Sequence, residues 1–215
     1  MLQYLGIYIH KPRSSDIKTS AEIATRVLQD FGIARSRDLE RAGVSRSQIR
    51  RLREQGLLER LGRGLYRRSG APLSERHDLA AAARIVPGGV ICLLSALRFH
   101  GLTTVNPFEV WLAIDRKAWR PRRDHPPLRL IYLSSAALRE GVEGHDVDGV
   151  TVRVFSAART VADCFKFRNK IGTDVAVEAL RDYRRVHPKR LDAVWRCAET
   201  DRVTRVIRPY LEAIG

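Results

Sequence analysis

Apolar residues recur at helical spacing in the first third of the chain. The spacing of Ile23, Val27 and Phe31 predicts a first helix that starts at Thr19 and ends at Gly32. A second, short helix is predicted over 36–43, with its first serine as the N-cap and its last glycine as the end.

The segment from Val44 to Arg68 predicts a third helix followed by a β-hairpin. Ser45 and Gln48 have the spacing of a capping box at a helix start, and Gly56 stands where a left-handed C-cap ends a helix. Residues 57–58 open a strand, 62–64 supply a glycine-containing turn, and 65–68 form the return strand. Helix, short helix, helix and hairpin is the order of a winged helix-turn-helix. The predicted apolar centre consists of Ile23, Val27, Phe31, Leu39, Ile49, Leu52, Leu57 and Leu65.

The pattern changes after the Gly-Ala-Pro at 70–72, which predicts two domains: a winged helix-turn-helix at 16–70 and an α+β domain at 73–215. In the second domain we expect a helix capped by Ser74 and a single apolar helix over 90–101. Strands are expected within 108–115 and 128–134, and a hairpin within 141–156 that turns at Asp148 and Gly149. Four further helices are expected at 157–167, 174–185, 191–197 and 207–214; Ser156 and Thr173 are expected to cap the first two, and a turn to lie between them at 169–172.

Positive charge is the exceptional feature of the composition. The 215 residues carry a net charge of +15, and the 25 positions from 44 to 68 hold eight arginines and two glutamates, a local net charge of +6. Such a field attracts polyanions, although a merely basic surface would have the same composition. The three cysteines are isolated and the start of the chain lacks the features of a signal peptide, which together favour the cytoplasm. No apolar run is long enough for a membrane span, and residues 1–15 are uninformative.

Candidate DNA contacts lie on the third helix and the hairpin. The first turns of such a recognition helix meet base edges, where arginine can fork onto guanine and serine can hold a phosphate. The hairpin would reach phosphates or the minor groove. The candidates are Arg46, Ser47, Gln48, Arg50 and Arg51 on the helix and Arg60, Arg63, Arg67 and Arg68 on the hairpin. For Gln48 a capping role competes with a base contact, and Glu54 on the same face disfavours phosphate contact by the second half of the helix.

Catalytic and metal sites find little support. Asp115 and Lys117 after a strand have the spacing seen at the end of some nuclease sites, but only Glu109 on the same strand accompanies them. The six histidines are scattered, and no glycine-rich phosphate loop follows a strand. We therefore predict no enzyme activity, no catalytic residue, no metal and no cofactor. Cys164 is expected in the core.

The segment 155–183 reads as a helical hairpin with charged side chains on its polar sides. These are Arg159, Asp163, Lys166, Arg168 and Lys170. They could bind a protein partner, nucleic acid or nothing.

Three runs resemble the AbiEi family of antitoxins from type IV toxin–antitoxin pairs: GLLERLGRGLYRR, SALRFHGL and VFSAARTVADCFKFRNKIGTDVAVEALR. The resemblance covers roughly 19–183, and the last run is its most specific part. It implies a repressor that binds operator repeats at its own promoter, and a C-terminal domain that antagonises a nucleotidyltransferase toxin without necessarily forming a stable complex. Arg46, Ser47, Arg50, Arg51 and Arg63 fall where the recognition helix and wing of that family lie.

The sequence therefore predicts a sequence-specific, double-stranded-DNA-binding repressor and antitoxin that regulates its own promoter. Because one winged helix covers a half-site, we expect two copies on an inverted repeat, as a homodimer or by cooperative binding. The alternative is a basic protein- or RNA-interaction module without operator specificity. A metal-dependent nuclease is the least favoured alternative.

Overall fold

The computed structural model describes residues 14–70, 75–119, 121 and 126–214, so residues 1–13 and the predicted helix cap Ser74 lie outside it. The chain divides into two compact units, Met1–Ala71 and Pro72–Gly215. Each unit has a hydrophobic core of its own.

Over residues 14–70, unit one contains three helices and a three-stranded antiparallel sheet with strand order β1-β3-β2. Its elements are α1 (Ser14–Phe31), β1 (Ile33–Arg35), α2 (Ser36–Arg41), α3 (Arg46–Glu54), β2 (Leu58–Gly62) and β3 (Leu65–Arg68). This order confirms the predicted winged helix-turn-helix, with β2 and β3 as the wing. The sequence pattern missed β1, which is only three residues long and is held by its pairing to β3.

The core of unit one differs in detail from the predicted one. Leu57 is 48% exposed whereas Leu58 is 4% exposed, so the prediction that Leu57 closes the core is wrong. The Leu57 N–H still donates to the Leu52 carbonyl at 2.9 Å in the turn that ends α3, and the strand therefore begins one residue later. In α1 the innermost side chains are Ala24 and Leu28. Ile23 and Val27 are half-buried at the margin of the core, and the Phe31 side chain lies outside the described part.

The start of α2 is also shifted by one residue. Arg35 is the N-cap, and its N–H donates to the Asp38 carboxylate at 3.1 Å. Ser36 is the first helical residue and not the predicted cap, because the acceptor comes from the third position of the helix. The helix ends at Arg41 with Ala42 as its C-cap, and Gly43, the predicted closing residue, follows with a φ of +97° that favours glycine.

Unit two combines helices with a five-stranded mixed sheet, which confirms the predicted α+β class. Its strands are β4 (Val90–Ile91), β5 (Val110–Asp115), β6 (Leu128–Leu133), β7 (Val142–Val147) and β8 (Val150–Phe155). Its helices are α4 (His77–Ile85), α5 (Leu93–Phe99), α6 (Ala157–Lys166), α7 (Arg168–Ile171), α8 (Thr173–Val186), α9 (Leu191–Thr200) and α10 (Thr204–Ile214).

The strand order β6-β5-β4-β8-β7 places the short β4 at the centre of the sheet. β4 pairs antiparallel with β5 and parallel with β8, while β6 is the edge strand beside β5. A Cβ on Gly89, just before β4, would lie 2.9 Å from the Leu112 side chain, so any larger residue would displace that buried side chain. The buried helix α6 packs against α5, α8 and α9.

The structure corrects two predicted elements of unit two. The apolar run at 90–101 is a two-residue strand followed by α5, and not one helix, because Val90 and Ile91 pair with β5. Residues 168–171 form a short helix where a turn was expected, and Gly172 rather than Thr173 precedes α8 as its N-cap. The hairpin turn at Asp148 and Gly149 is confirmed, since both residues have the positive φ, 52° and 71°, of a two-residue hairpin loop. Cys164 is fully buried, as predicted.

Within the described ranges, no helix is both long enough and apolar enough to cross a membrane.

Candidate nucleic-acid interface

The first turn of α3 is fixed by a reciprocal capping box. The Ser45 hydroxyl accepts from the Gln48 N–H at 3.3 Å, and the Gln48 side-chain oxygen accepts from the Ser45 N–H at 2.7 Å. Ile49 and Leu52 anchor the opposite face in the core. The helix is therefore held at its start and along its inner side. The amide oxygen of Gln48 is engaged in the cap, which makes this residue a structural part of the helix start.

The outward face of α3 presents arginines to solvent. Arg46, Ser47 and Arg50 are exposed and Arg51 is half-exposed. Ser47 shares a hydroxyl–hydroxyl hydrogen bond of 3.0 Å with Ser45. Arg53 is also exposed; it was not among the sequence-predicted contacts, although it follows Arg50 by three positions. These side chains form the outward face of α3: Arg46, Ser47, Arg50, Arg51 and Arg53.

Two of these arginines already have carboxylate partners. Arg46 Nε lies 2.5 Å from Glu40 of α2, and Arg50 Nε lies 2.8 Å from Glu54 one turn along α3. The Arg46 and Arg50 side chains remain 85% and 77% exposed. The hydrogen bond to Glu54 raises the pKa of Arg50, which therefore stays charged. Exposed ion pairs contribute little to stability, so a phosphate or guanine can replace these carboxylates at small cost. Arg51 and Arg53 make no ion pair among the described residues.

The wing carries four arginines in different states. Arg60 is exposed and donates to the Gly62 carbonyl at 3.0 Å, while Arg63 and Arg68 are exposed near its tip and its end. Arg67 is different: its side chain is 12% exposed, and its Nε and Nη2 atoms donate to one Glu59 oxygen at 2.9 and 2.5 Å. The expectation of an exposed phosphate contact at Arg67 is therefore corrected, since this side chain braces β3 against β2.

The predicted charged surface of unit two is also changed. Arg159 and Asp163 have side chains that are only 2% exposed, and they form an ion pair of 3.2 Å. Asp201 joins them: its carboxylate lies 3.8 Å from Arg159 and 2.6 Å from Lys166. The prediction that Arg159 belongs to a partner surface is wrong, because its guanidinium is used inside the fold.

The remaining members of that predicted surface have other surroundings. Lys166 is one-third exposed, and Arg168 is half-buried and donates to the Phe165 carbonyl at 2.9 Å. Lys170 is exposed with its ammonium 5.8 Å from the Phe167 ring. Lys166, Arg168 and Lys170 thus stay as candidates for a partner surface. Helical periodicity alone could not distinguish them from Arg159.

Asp115, the carboxylate considered for nuclease chemistry, is held by hydrogen bonds within the fold. Asp115 accepts hydrogen bonds from the Ser135 hydroxyl and, at 2.8 Å, from the Lys117 N–H. These donors hold the pKa of Asp115 below its usual range, the Ser135 hydroxyl most strongly. No cluster of three or more histidine, cysteine or acidic residues suited to a metal ion occurs in the part of the chain that the structure describes.

Most of the first unit matches a protein-family model. The family model for the transcriptional regulator called AbiEi antitoxin matches residues 22–69, a span that includes α2, α3 and the wing. No curated protein matches the chain. The match does not extend to α6 and α8, on which the sequence resemblance depended most. It agrees with that resemblance in unit one: residues 22–69 are similar to the transcriptional regulators of the AbiEi antitoxin family.

Proposed function

We propose that this protein is a cytoplasmic, sequence-specific repressor that binds double-stranded DNA at its own promoter and acts as the antitoxin of a type IV pair. The observation that carries the proposal is the outward face of α3. It combines a fixed helix start with arginines that, among the described residues, pair only with surface carboxylates or make no ion pair. This arrangement suits insertion of α3 into the major groove, while the wing contacts the backbone beside it. The local charge of +6 over residues 44–68 supplies attraction to phosphate.

In the proposed mechanism, one set of arginines positions the protein on the DNA backbone and another recognises the base sequence. Arg60, Arg63 and Arg68 on the wing neutralise phosphates and fix the register, and Arg50 and Arg51 test base edges for guanine. On binding, Arg46 and Arg50 exchange Glu40 and Glu54 for groups on the DNA. Repression follows because a protein that occupies an operator overlapping the promoter blocks RNA polymerase.

Two copies act together in this proposal. A single α3 reads one half-site, so an inverted repeat is occupied by two chains, either as a homodimer or by cooperative binding. The antitoxin activity is assigned to unit two, where Lys166, Arg168 and Lys170 are the candidate contacts. A nucleotidyltransferase toxin is its functional target, and the antagonism does not require a stable complex.

A gel-shift titration tests the proposal. Duplex DNA from upstream of the gene is compared with a shuffled duplex of equal length at about 150 mM salt, where weak electrostatic binding is screened. We expect selective retention of the upstream duplex. An Arg63→Ala/Arg68→Ala variant should weaken binding to both duplexes and reduce the slope of log affinity against log salt by about 1.8.

Two other outcomes would contradict the proposal. Equal binding to the two duplexes, or none, would favour the basic interaction module without operator specificity. Nicking of a plasmid in the presence of Mg²⁺ or Mn²⁺, abolished by Asp115→Ala, would instead favour the nuclease.

A further inference from the structure

One aromatic side chain of unit two is almost fully exposed. Trp119 is 92% exposed, the highest value among the large hydrophobic side chains that the structure describes. By contrast, Trp111 is 6% exposed and Trp195 is half-buried in the core of unit two. Scattered exposed apolar residues are ordinary, but tryptophan is among the most costly to leave in water and among the most effective when covered. Its surroundings therefore indicate which kind of ligand covers it.

The turn that presents Trp119 is anchored at its base. The Arg116 N–H donates to the Leu133 carbonyl at 2.9 Å, and the Ala118 N–H donates to the Asp115 carbonyl at 2.8 Å. The Asp115 carboxylate adds its bonds from Ser135 and Lys117. Four hydrogen bonds thus hold residues 115–118, and two of them, from Arg116 to Leu133 and from Ser135 to Asp115, tie this turn to the end of β6 and the residues after it. Trp119 follows directly, so the tryptophan extends from a fixed support.

Positively charged residues flank Trp119 in the sequence. Arg116 and Lys117 are exposed, and neither side chain forms an ion pair among the described residues. The sequence continues with three more arginines, at 120, 122 and 123, and one aspartate at 124, so the run 116–124 has a net charge of +4. A second exposed aromatic residue, Tyr132, lies at the same end of the sheet and is 48% exposed, opposite Ile114 in the β5–β6 ladder.

We propose that Arg116, Lys117, Trp119 and Tyr132 form a binding site for single-stranded nucleic acid, separate from the DNA-binding face of α3. Exposed aromatic rings provide stacking platforms for unpaired bases, and neighbouring cations hold the phosphates that link those bases. Bases in a duplex are stacked on each other and cannot cover an indole in this way. An apolar protein surface would cover Trp119 but would bring no partner for the positive charge around it.

Intrinsic tryptophan fluorescence measures the stacking of a base on Trp119 directly. The full-length protein is titrated with oligo(U) and oligo(dT) of 12 nucleotides and with a 12-base-pair duplex, while tryptophan emission is followed. Stacking should quench Trp119, and the buried Trp111 should keep its emission. We expect saturable quenching by either single-stranded oligonucleotide, and a difference between the two will show whether a 2′-hydroxyl contributes.

Variants separate this site from α3. Binding is also measured by anisotropy with labelled oligo(U), a readout that does not depend on tryptophan. Trp119→Ala should weaken binding by about 5- to 100-fold through loss of base stacking. Arg116→Ala/Lys117→Ala should reduce the salt slope for single strands by about 1.4. Arg50→Ala/Arg51→Ala should leave the affinity for single strands unchanged.

Two matched control variants test whether the loss of any exposed aromatic ring, or of any two exposed positive charges, weakens binding to oligo(U). Phe108→Ala removes another exposed ring, and Lys189→Ala/Arg190→Ala removes two exposed charges; neither should change the affinity for oligo(U) by more than twofold. The proposal is overturned if neither single strand binds at about 100 mM salt, or if Trp119→Ala binds like the wild type. It is also overturned if Trp119→Ala abolishes binding to a toxin protein while single-strand binding stays intact, because Trp119 is then a protein contact.

Discussion

Two arginine-bearing helices, α3 and α6, use the same residue type in opposite surroundings. On α3, Arg50 is 77% exposed and pairs with Glu54 four positions later. On α6, Arg159 is 2% exposed and pairs with Asp163, also four positions later. The spacing in sequence is identical, but the first pair is hydrated and exchangeable, and the second is enclosed by α9 and the residues before α10. Burial, and not sequence spacing, therefore decides whether an arginine can serve a ligand.

The buried pair belongs to a larger cluster that is incompletely satisfied. Arg159 donates to the Glu140 carbonyl at 3.1 Å and lies 4.6 Å from the centre of the Phe155 ring. Arg159 Nη2, Asp163 Oδ1 and Asp201 Oδ2 are buried without a hydrogen-bond partner among the described residues. Buried ion pairs add little stability by themselves, but removal of one member leaves an unpaired charge that is costly. The cluster thus links α6 to Asp201, the C-cap of α9.

The largest effect is expected from Arg159→Met, which preserves most of the volume but removes the charge. We expect the free energy of unfolding of unit two to fall by about 3–5 kcal/mol, because Asp163 loses its buried cation and Asp201 keeps only the partly exposed Lys166. All three tryptophans, at 111, 119 and 195, lie in unit two, so urea unfolding followed by tryptophan fluorescence reports on this unit. Arg185→Met, which removes an exposed pair with Asp182, is the matched control and should leave the midpoint unchanged. Equal midpoints for the two variants would contradict the structural role of Arg159.

A smaller effect, with a characteristic pH dependence, is expected from Asp163→Asn. Burial raises the pKa of Asp163 well above its usual range, against the attraction of Arg159, and the nearby Asp201 carboxylate raises it further. The folded state therefore binds a proton more tightly than the unfolded state, and this contribution to stability is lost as pH rises through the folded pKa. Asparagine cannot ionise, so the variant should gain stability relative to the wild type as the pH is raised from 4 to 8.

Thermal unfolding at a series of pH values provides the measurement, with Asp182→Asn on the surface of α8 as the control. If Asp163→Asn instead loses stability relative to the wild type as pH rises, Asp163 is ionised in the fold and its pKa is lowered.

The smallest effect is expected from a change in the exposed Arg50–Glu54 pair on α3. Glu54→Gln removes the carboxylate that holds Arg50, and it should raise affinity for any duplex by a few-fold at low salt, with little change in stability. Fluorescence anisotropy at 50 and 200 mM salt measures this gain, which should shrink at the higher concentration. Glu178→Gln on the exposed surface of α8 is the control for loss of one negative charge. A larger gain from Glu178→Gln than from Glu54→Gln would argue against DNA contact by Arg50.

Local signals in the sequence predicted much of unit one and the loops of unit two. The capping box at Ser45 and the turn at Asp148 depend on neighbours within a few residues, and the structure confirms both. Non-local features could not be predicted. Val90 and Ile91 leave the helical pattern because β5 and β8 pair with them, and Arg159 is buried because Asp201, far along the chain, meets it there. The DNA contacts of α3 remain predictions, since exposure permits contact but does not establish it.

The most direct test of the central claim is the ratio of affinities for the upstream duplex and its shuffled counterpart, measured for Arg51→Ala and Arg68→Ala. These variants remove the same charge from α3 and from the wing. We predict that Arg51→Ala lowers the ratio by about 5- to 100-fold, because a base contact is lost, while Arg68→Ala weakens both duplexes and keeps the ratio. An unchanged ratio for Arg51→Ala, or a collapse of the ratio for Arg68→Ala alone, would contradict the assignment of α3 as the element that reads the operator.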